Sequence, residues 1–321
     1  IGRYISGTTA SGLYEARLGY EEMGKENHVF APAYKEADMQ ELVMICDHII
    51  FNSFAQYEKY KDICQAKGVS VGIRVNPQCS TQKGHDIYDP CGYASRLGVT
   101  KAQFPEVLPE GIEGLHFHTL CEQNADDLVT TFQAFEEKFG KYLHCIKWLN
   151  LGGGHHITRA DYDRELLISC VRRIQDTYNV QVYLEPGEAV ALNAGHLITT
   201  VEDIVHNDIA VLDVSAACHM PDVIEMPYRP PLFDSGEAKE KEYTYLLGGP
   251  TCLAGDVIGS YSFDQPLKVG DRLTFGDMAI YTTVKNNTFN GMRLPDIVWE
   301  HESGECEIVK SFGYEDFKCR L

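Results

Sequence analysis

The chain has 321 residues, is 44% hydrophobic and carries a formal charge of -19 at pH 7. That length buries one large barrel domain or two smaller ones; the acidic balance excludes a nucleic-acid partner, since a phosphate backbone demands a basic surface; and no apolar run approaches the roughly 20 residues of a membrane span. Eleven cysteines without a C-x-x-C pair exclude a disulfide framework or a zinc knuckle and predict reduced thiols and a cytoplasmic location.

The first residues, Ile1-Gly2-Arg3-Tyr4, are neither a signal peptide nor a natural initiator. The biological N-terminus is therefore expected upstream. From Ile5 to Glu185 short β-rich runs alternate with helical patterns, the signature of parallel strands joined by crossover helices. Strands are expected at 4–5, 29–30, 49–51, 71–75, 115–117, 148–151 and 182–184, with helices at 38–45, 54–66, 126–139 and 164–178, where apolar residues recur at three and four. This falls one strand short of a closed (β/α)8 barrel. The odd start places the absent first strand ahead of Ile1; an incomplete, open sheet is the alternative.

After Asn193 the runs become short, β-branched and aromatic, at 197–205, 209–214, 243–247, 272–275, 281–284 and 297–299, with Gly, Pro and Asn between them. Residues 219–238, rich in Pro, Met and acids, are expected to form a long loop. The fold class is thus α/β: a (β/α)8 TIM-type barrel over residues 1–193, without its first strand, followed by a mostly antiparallel β-domain over residues 194–321.

Several constellations carry chemistry. Leu149-Asn150-Leu151-Gly152-Gly153-Gly154 follows a strand and precedes a helix, so three residues lacking Cβ can turn main-chain N–H groups toward an anion. Counting the upstream strand, it follows barrel strand seven, where this fold usually binds phosphate. Glu185-Pro186-Gly187 ends the next strand and aims a carboxylate at the barrel mouth, where it can keep a heterocyclic nitrogen protonated; a solvated surface turn is the plainer reading. His116 and His118 alternate on one strand and share a face. One of them can lie against an aromatic cofactor, with a metal pair of a barrel hydrolase as the rival. His155-His156 reads as a loop feature. Cys252, within Gly249-Pro250-Thr251-Cys252-Leu253-Ala254-Gly255-Asp256, and Tyr281, ahead of Phe289-Asn290-Gly291, are weak signals alone.

Together these pieces resemble the fold-type-III pyridoxal-phosphate decarboxylases, the group of ornithine and diaminopimelate decarboxylases with alanine racemase as a distant relative, and within it the carboxynorspermidine/carboxyspermidine branch. The ordered matches include Gly7-Thr8-Thr9-Ala10-Ser11-Gly12 with Glu15, Ile50-Phe51-Asn52-Ser53, Ser95-Arg96-Leu97-Gly98-Val99, Phe117-His118 with Cys121-Glu122, Leu184-Glu185-Pro186-Gly187-Glu188 and Phe312-Gly313-Tyr314-Glu315-Asp316-Phe317-Lys318.

The resemblance implies pyridoxal 5'-phosphate as cofactor, with Glu185 at its ring nitrogen, His118 stacked on the ring, and Gly152, Gly153, Gly154, Pro186, Gly187 and the Tyr281 hydroxyl at its phosphate. It implies Arg74 and Arg96 near the cofactor, and a homodimer in which Cys252 enters the partner's site and protonates the substrate carbon. It also implies a Schiff-base lysine on the first barrel strand. No lysine here matches that place, so it is expected ahead of Ile1. Two departures from ornithine decarboxylase, Leu253 after the cysteine and Glu188 after Glu-Pro-Gly, are shared with the carboxynorspermidine branch.

The resemblance further implies loss of CO2 from a polyamine precursor, whose extra amines need acids; Glu122, Glu188, Asp222, Glu225 and Asp256 are candidates, with Cys121 beside them. Rival expectations are a diaminopimelate or arginine decarboxylase, a racemase, a metal-dependent hydrolase, or a cofactor-binding remnant without catalysis.

Overall fold

The computed structural model describes residues 1–83, 86–206 and 208–321. It comprises two compact units, Ile1–Val190 and Ala191–Leu321.

The first unit is a parallel sheet of β1 (Gly7–Ala10), β2 (Glu26–Phe30), β3 (His48–Phe51), β4 (Ser70–Asn76), β5 (Val99–Thr100), β6 (Ile112–His116), β7 (Trp148–Asn150) and β8 (Gln181–Tyr183). The order is β1-β2-β3-β4-β6-β7-β8, with β5 paired to the end of β4. Helices α1 (Leu13–Glu22), α2 (Glu36–Ile45), α3 (Phe54–Lys67), α4 (Ala125–Leu143), α5 (Arg164–Tyr178) and the short α6 (Gly187–Ala191) lie among the strands. Strands β3 and β4 are buried almost end to end, as parallel strands covered on both faces must be. The sheet curls. Its two edges approach one another: Thr9 on β1 donates to Glu185, just past β8, over 2.9 Å, and Tyr183 on β8 donates to Glu26 on β2 over 2.8 Å.

Local chemistry sets the helix boundaries. Ser53 caps α3 by accepting the Gln56 N–H at 3.2 Å, and Gly68 ends the helix in the left-handed region at φ 71°. Asp163 caps α5 by accepting the Leu166 N–H, and Asn179 closes that helix at φ 55°. Helix α4 buries Leu128, Phe132, Phe135 and Phe139 on one stripe, where Phe135 stacks on Phe117 at 4.6 Å. Each of these rings contributes about 2–3 kcal/mol by leaving water.

The second unit holds a five-stranded sheet of β9 (Leu197–Val205), β10 (Ile209–Leu212), β11 (Tyr243–Gly248), β12 (Val257–Phe263) and β13 (Arg272–Phe275), in the order β12-β11-β10-β9-β13. Only the pairing of β10 with β11 is parallel. A separate hairpin joins β14 (Ile297–Glu300) to β15 (Cys306–Lys310). Val201, Leu212, Leu247, Tyr261 and Phe275 form the centre of its core.

Several expectations need correcting. The strand expected at 4–5 begins instead at Gly7, where pairing with Glu26 starts. Residues Tyr281–Val284 form one helical turn, because a β-branched composition does not make a strand without a neighbour to pair with. The expected loop at 219–238 contains the helical turn Asp222–Glu225. Strands β5, β12 and β15 were not anticipated.

Candidate active site

The polar residues gather where the strands of the first unit end. Thr9 lies near the end of β1, Arg74 near the end of β4, His116 closes β6, Asn150 closes β7, and Glu185 follows β8 by two residues. In a barrel of this kind the C-terminal ends of the strands form the reactive face.

Glu185 is the hub. Its Oε1 accepts the Asn150 amide at 2.7 Å and the Thr9 hydroxyl at 2.9 Å, while His116 Nε2 stands 3.5 Å from Oε2. The Asn150 carbonyl oxygen accepts the Gly152 N–H at 2.8 Å, which fixes its NH2 group toward Glu185. Burial by itself would raise the Glu185 carboxyl; His116, His118 and the Asn150 amide outweigh it and hold the group well below the usual carboxylate range. Burial lowers the His116 pKa, against the pull of Glu185.

His118 is locked at both ring nitrogens. Its Nδ1 accepts the Gly153 N–H at 3.3 Å, so the proton sits on Nε2 and is donated to the Leu120 carbonyl at 3.1 Å. Burial, aided by the nearby Arg74 charge, lowers its pKa to about 3, so the ring is neutral and offers a flat face. Arg74 is itself buried, stands over the Phe30 ring at 4.5 Å and donates to the His118 carbonyl at 3.4 Å.

The triple glycine is required sterically. Gly152 and Gly154 have φ of 73° and 80°. A Cβ on Gly152 would lie 2.6 Å from the Phe117 oxygen, on Gly153 2.5 Å from the Glu185 oxygen, and on Gly154 2.2 Å from the Leu120 oxygen. The loop therefore lies pressed between the ends of β6 and β8. Several N–H groups of this loop were expected to face an anion; those of Gly152 and Gly153 instead donate to the Asn150 side chain and to His118 Nδ1. The Gly187 N–H likewise closes on the Glu185 carbonyl at 2.8 Å.

A second cluster of Glu122, His156 and Glu188 brings its ligand atoms within 4.8 Å of one another. His156, read from sequence as a loop feature, is buried there with Nε2 3.3 Å from Glu188 Oε2. Cys121, beside Glu122, accepts the Gln82 amide at its carbonyl, 3.0 Å away.

The atoms of His116, His118 and Glu185 also lie within 4.8 Å of one another, which supplies the third ligand that the metal reading lacked. Their chemistry is otherwise committed: both His118 nitrogens and Glu185 Oε1 are already hydrogen-bonded. A flat, neutral imidazole beside an ionised carboxylate and a close-packed glycine loop fits the ring, nitrogen and phosphate of pyridoxal phosphate better than it fits a cation.

The remaining candidates belong to the second unit. Cys252 is exposed, and its N–H donates to Asn290 at 2.8 Å. Tyr281 opens its helical turn half-exposed. Asp222 and Glu225 both accept from Lys285. Asp256 is buried and accepts from Ser215 and Ala217 on one oxygen and from Thr251 on the other. Its role as an amine acceptor is therefore corrected: the carboxylate pins the loop that carries Cys252. Thr9 and Asn150 were missed as functional residues; a lone Asn inside the apolar run Trp148-Leu149-Asn150-Leu151 was the available signal, because a buried amide must find partners.

A family model described as pyridoxal-dependent decarboxylase, C-terminal sheet domain, matches residues 26–279. A carboxynorspermidine/carboxyspermidine decarboxylase of Campylobacter jejuni is 45% identical over 100% of this chain and 86% of its own length. A carboxyaminopropylagmatine decarboxylase of Synechocystis is 44% identical over 99% of this chain and 83% of its own. The crystal structure of the Campylobacter jejuni carboxynorspermidine decarboxylase complexed with norspermidine superposes with a TM-score of 0.92 at 44% identity, covering 100% of this chain and 87% of that one. Diaminopimelate decarboxylase from Helicobacter pylori, at 14% identity and a TM-score of 0.81 over 98% of this chain and 84% of its own, shares the fold. The ionised Glu185, the neutral His118 and the glycine loop thus stand in a chain that belongs to the pyridoxal-dependent decarboxylase family, whose fold joins an α/β barrel to a β-domain.

Proposed function

We propose that the protein removes the α-carboxylate of carboxynorspermidine or carboxyspermidine, releasing CO2 and norspermidine or spermidine in polyamine biosynthesis. The observation that carries this reading is the caged carboxylate of Glu185, ionised and held by Asn150 and Thr9 at the barrel mouth, together with identity of 45% to a relative of that name.

Glu185, His118, Arg74, Gly152, Gly153, Gly154, Pro186 and Gly187 would hold pyridoxal phosphate, with Tyr281 contributing its hydroxyl. When bound, the cofactor supplies a ring that accepts the electron pair left behind as CO2 departs. Glu185 keeps the proton on the ring nitrogen, and because its charge is fixed before reaction it stabilises negative charge without reorganising. His118, neutral and pinned at both nitrogens, supports the ring face. Cys252 from a second copy of the chain delivers the proton to the α-carbon, which makes a homodimer the working unit. Residues 1–193 then serve as the cofactor half and 194–321 as the half that completes the partner's site, in a cytoplasmic enzyme.

Among the acids, Glu122 and Glu188 are the favoured partners of the distal substrate amines. Asp222 and Glu225 already neutralise Lys285. The Synechocystis relative raises a guanidinium-ended substrate as a second reading. Full-length protein loaded with pyridoxal phosphate should be offered carboxynorspermidine, carboxyspermidine, carboxyaminopropylagmatine, meso-diaminopimelate and L-arginine, with CO2 and amine product quantified. The highest kcat/KM is expected for the first two. Preference for the guanidinium substrate would favour the second reading, and preference for diaminopimelate or arginine would overturn both.

A further inference from the structure

His116 is a buried titratable group that the chemistry above leaves unused. It closes β6 at 1% exposure, and its partners in register are Arg74 on β4 and Asn150 on β7, so the three residues form one layer across the sheet. Phe30 meets the ring edge-on, with centroids 5.4 Å apart. Neither ring nitrogen has a hydrogen-bond partner among the described residues. Nε2 faces Glu185, whose Oε2 stands 3.5 Å away. Burying an imidazole in this way is costly, and an apolar side chain of similar size would not incur that cost. The ring is placed to act on the carboxylate it faces.

The two oxygens of Glu185 are held differently. Oε1 accepts from two neutral donors, the Asn150 amide at 2.7 Å and the Thr9 hydroxyl at 2.9 Å, whereas Oε2 is the oxygen that His116 faces. A carboxylate oxygen only accepts, so the tautomer that suits this place carries its proton on Nε2, and Oε2 keeps a second lone pair for another donor. Burial first, then the charges of Arg74 and His28, lower the His116 pKa against the pull of Glu185. Above about pH 7 the ring is accordingly a neutral donor. A neutral N–H orients the carboxylate without cancelling its charge, whereas an imidazolium would compete for it with the protonated ring nitrogen of the cofactor. The contact is long at 3.5 Å, and contacts of this kind tighten when the reacting complex forms.

We propose that His116 is a positioning residue for Glu185: fixed on its strand between Arg74 and Asn150, it uses its Nε2–H to hold Oε2 in the orientation that meets the ring nitrogen of pyridoxal phosphate, while Asn150 and Thr9 hold Oε1. This rests on the role given to Glu185 above and adds the donor that sets its second oxygen. It predicts an effect on the chemical step and little on substrate binding.

The test uses full-length holoenzyme at about pH 8, where the ring is neutral. For each variant kcat and KM for carboxynorspermidine, the visible spectrum of the bound cofactor and the urea midpoint are measured. His116→Phe keeps a flat ring and removes the donor; kcat should fall about tenfold, as for loss of one hydrogen bond to a charged group, with KM within about threefold. The visible band should shift in the direction seen for Glu185→Gln, because charge at the ring nitrogen tunes the electronics of the ring. His116→Gln differs in shape but places an amide N–H near the position of Nε2–H, so kcat should recover to within about threefold and the band should return to its wild-type position. In a Glu185→Gln background His116→Phe should lower kcat less than about twofold, since a residue that acts through Glu185 has no charge left to orient. A fall in kcat that persists undiminished in that background, or that His116→Gln does not repair, would reduce the ring to packing and overturn the proposal. If Glu185→Gln lowers kcat while His116→Phe changes neither kcat nor the spectrum, the positioning role is overturned and Glu185 keeps its own. If Glu185→Gln leaves kcat unchanged, the reading of Glu185 fails and the proposal with it. Should His116→Phe not fold, as a collapsed urea midpoint would show, His116→Leu replaces it under the same criteria.

Discussion

Asn150 donates to Glu185 over 2.7 Å while its carbonyl oxygen accepts the Gly152 N–H over 2.8 Å, so one amide couples the charge at the end of β8 to the shape of the glycine loop after β7. The carboxylate and the loop are thereby set together. A change at either is transmitted to the other through a side chain whose two ends are both engaged.

Replacing Glu185 by Gln keeps the shape and removes the charge. Turnover is expected to fall about 10²- to 10³-fold, the cost of losing one preorganised electrostatic group. Cofactor content, read from visible absorbance, should remain near wild type, because the amide oxygen of the new side chain can still accept from Asn150 and so leaves the glycine loop and His118 in place. Unchanged kcat in Glu185→Gln would remove the central role assigned to this residue.

Gly153→Ala tests the close packing. The added methyl would meet the Glu185 carbonyl at 2.5 Å and the His118 ring at 3.2 Å, so the loop must move away from both. A loss of about 1–3 kcal/mol of stability and a large fall in cofactor affinity are expected. A holoenzyme that retains cofactor through dialysis as the wild type does would contradict the cradle.

Much of this site was legible from residue order, and the rest was hidden for physical reasons. Glu185, His118 and the glycine triplet stand at strand ends with turn chemistry around them, so a local reading finds them. Thr9 meets Glu185 from 176 residues away, and no local periodicity encodes a contact between the two edges of a curled sheet. Strand β12 escaped because Val257-Ile258-Gly259-Ser260-Tyr261-Ser262-Phe263 mixes Gly and Ser into its run. The hairpin strand β15 is exposed along its whole length and shows no apolar alternation. Asp256 looked like a binding acid because its neighbours Ser215 and Ala217 lie about 40 residues away in the chain.

The proposed dimer has a sharp test in mixing. Cys252→Ala and Glu185→Gln should each be nearly inactive, with the first retaining its cofactor. If Cys252 works in the partner's site, the mixed dimer carries one site with both lesions and one with neither. A two-fold assembly that exchanges freely then recovers about a quarter of wild-type activity at equal mixing, since about half the dimers are mixed and half their sites intact. Recovery that stays at the level of the parents would place Cys252 in its own chain's site or outside catalysis.

Acid sensitivity follows from the buried His48 and His155 and the part-buried His118. Burial, with His28 adding to it, lowers His48 to about 4; burial with Arg74 lowers His118 to about 3; burial lowers His155 to about 4. In the unfolded chain each returns to about 6.5. Below that value the unfolded state binds protons that the native state refuses, so the contribution of these histidines is constant above about pH 7 and declines as the pH falls from about 6.5 toward 4, by up to about 1.4 kcal/mol per pH unit for each histidine. Urea midpoints across this window should therefore drop steeply. His48 is the place to intervene, because its ring lies stacked between His28 at 4.0 Å and Trp148 at 4.7 Å and its Nδ1 has no hydrogen-bond partner among the described residues. His48→Phe keeps that stacking and removes the titrating group, so its midpoint should decline less between pH 6.5 and 4.5 than that of the wild type. Parallel curves for the two proteins would show that the His48 proton plays no part in the acid transition.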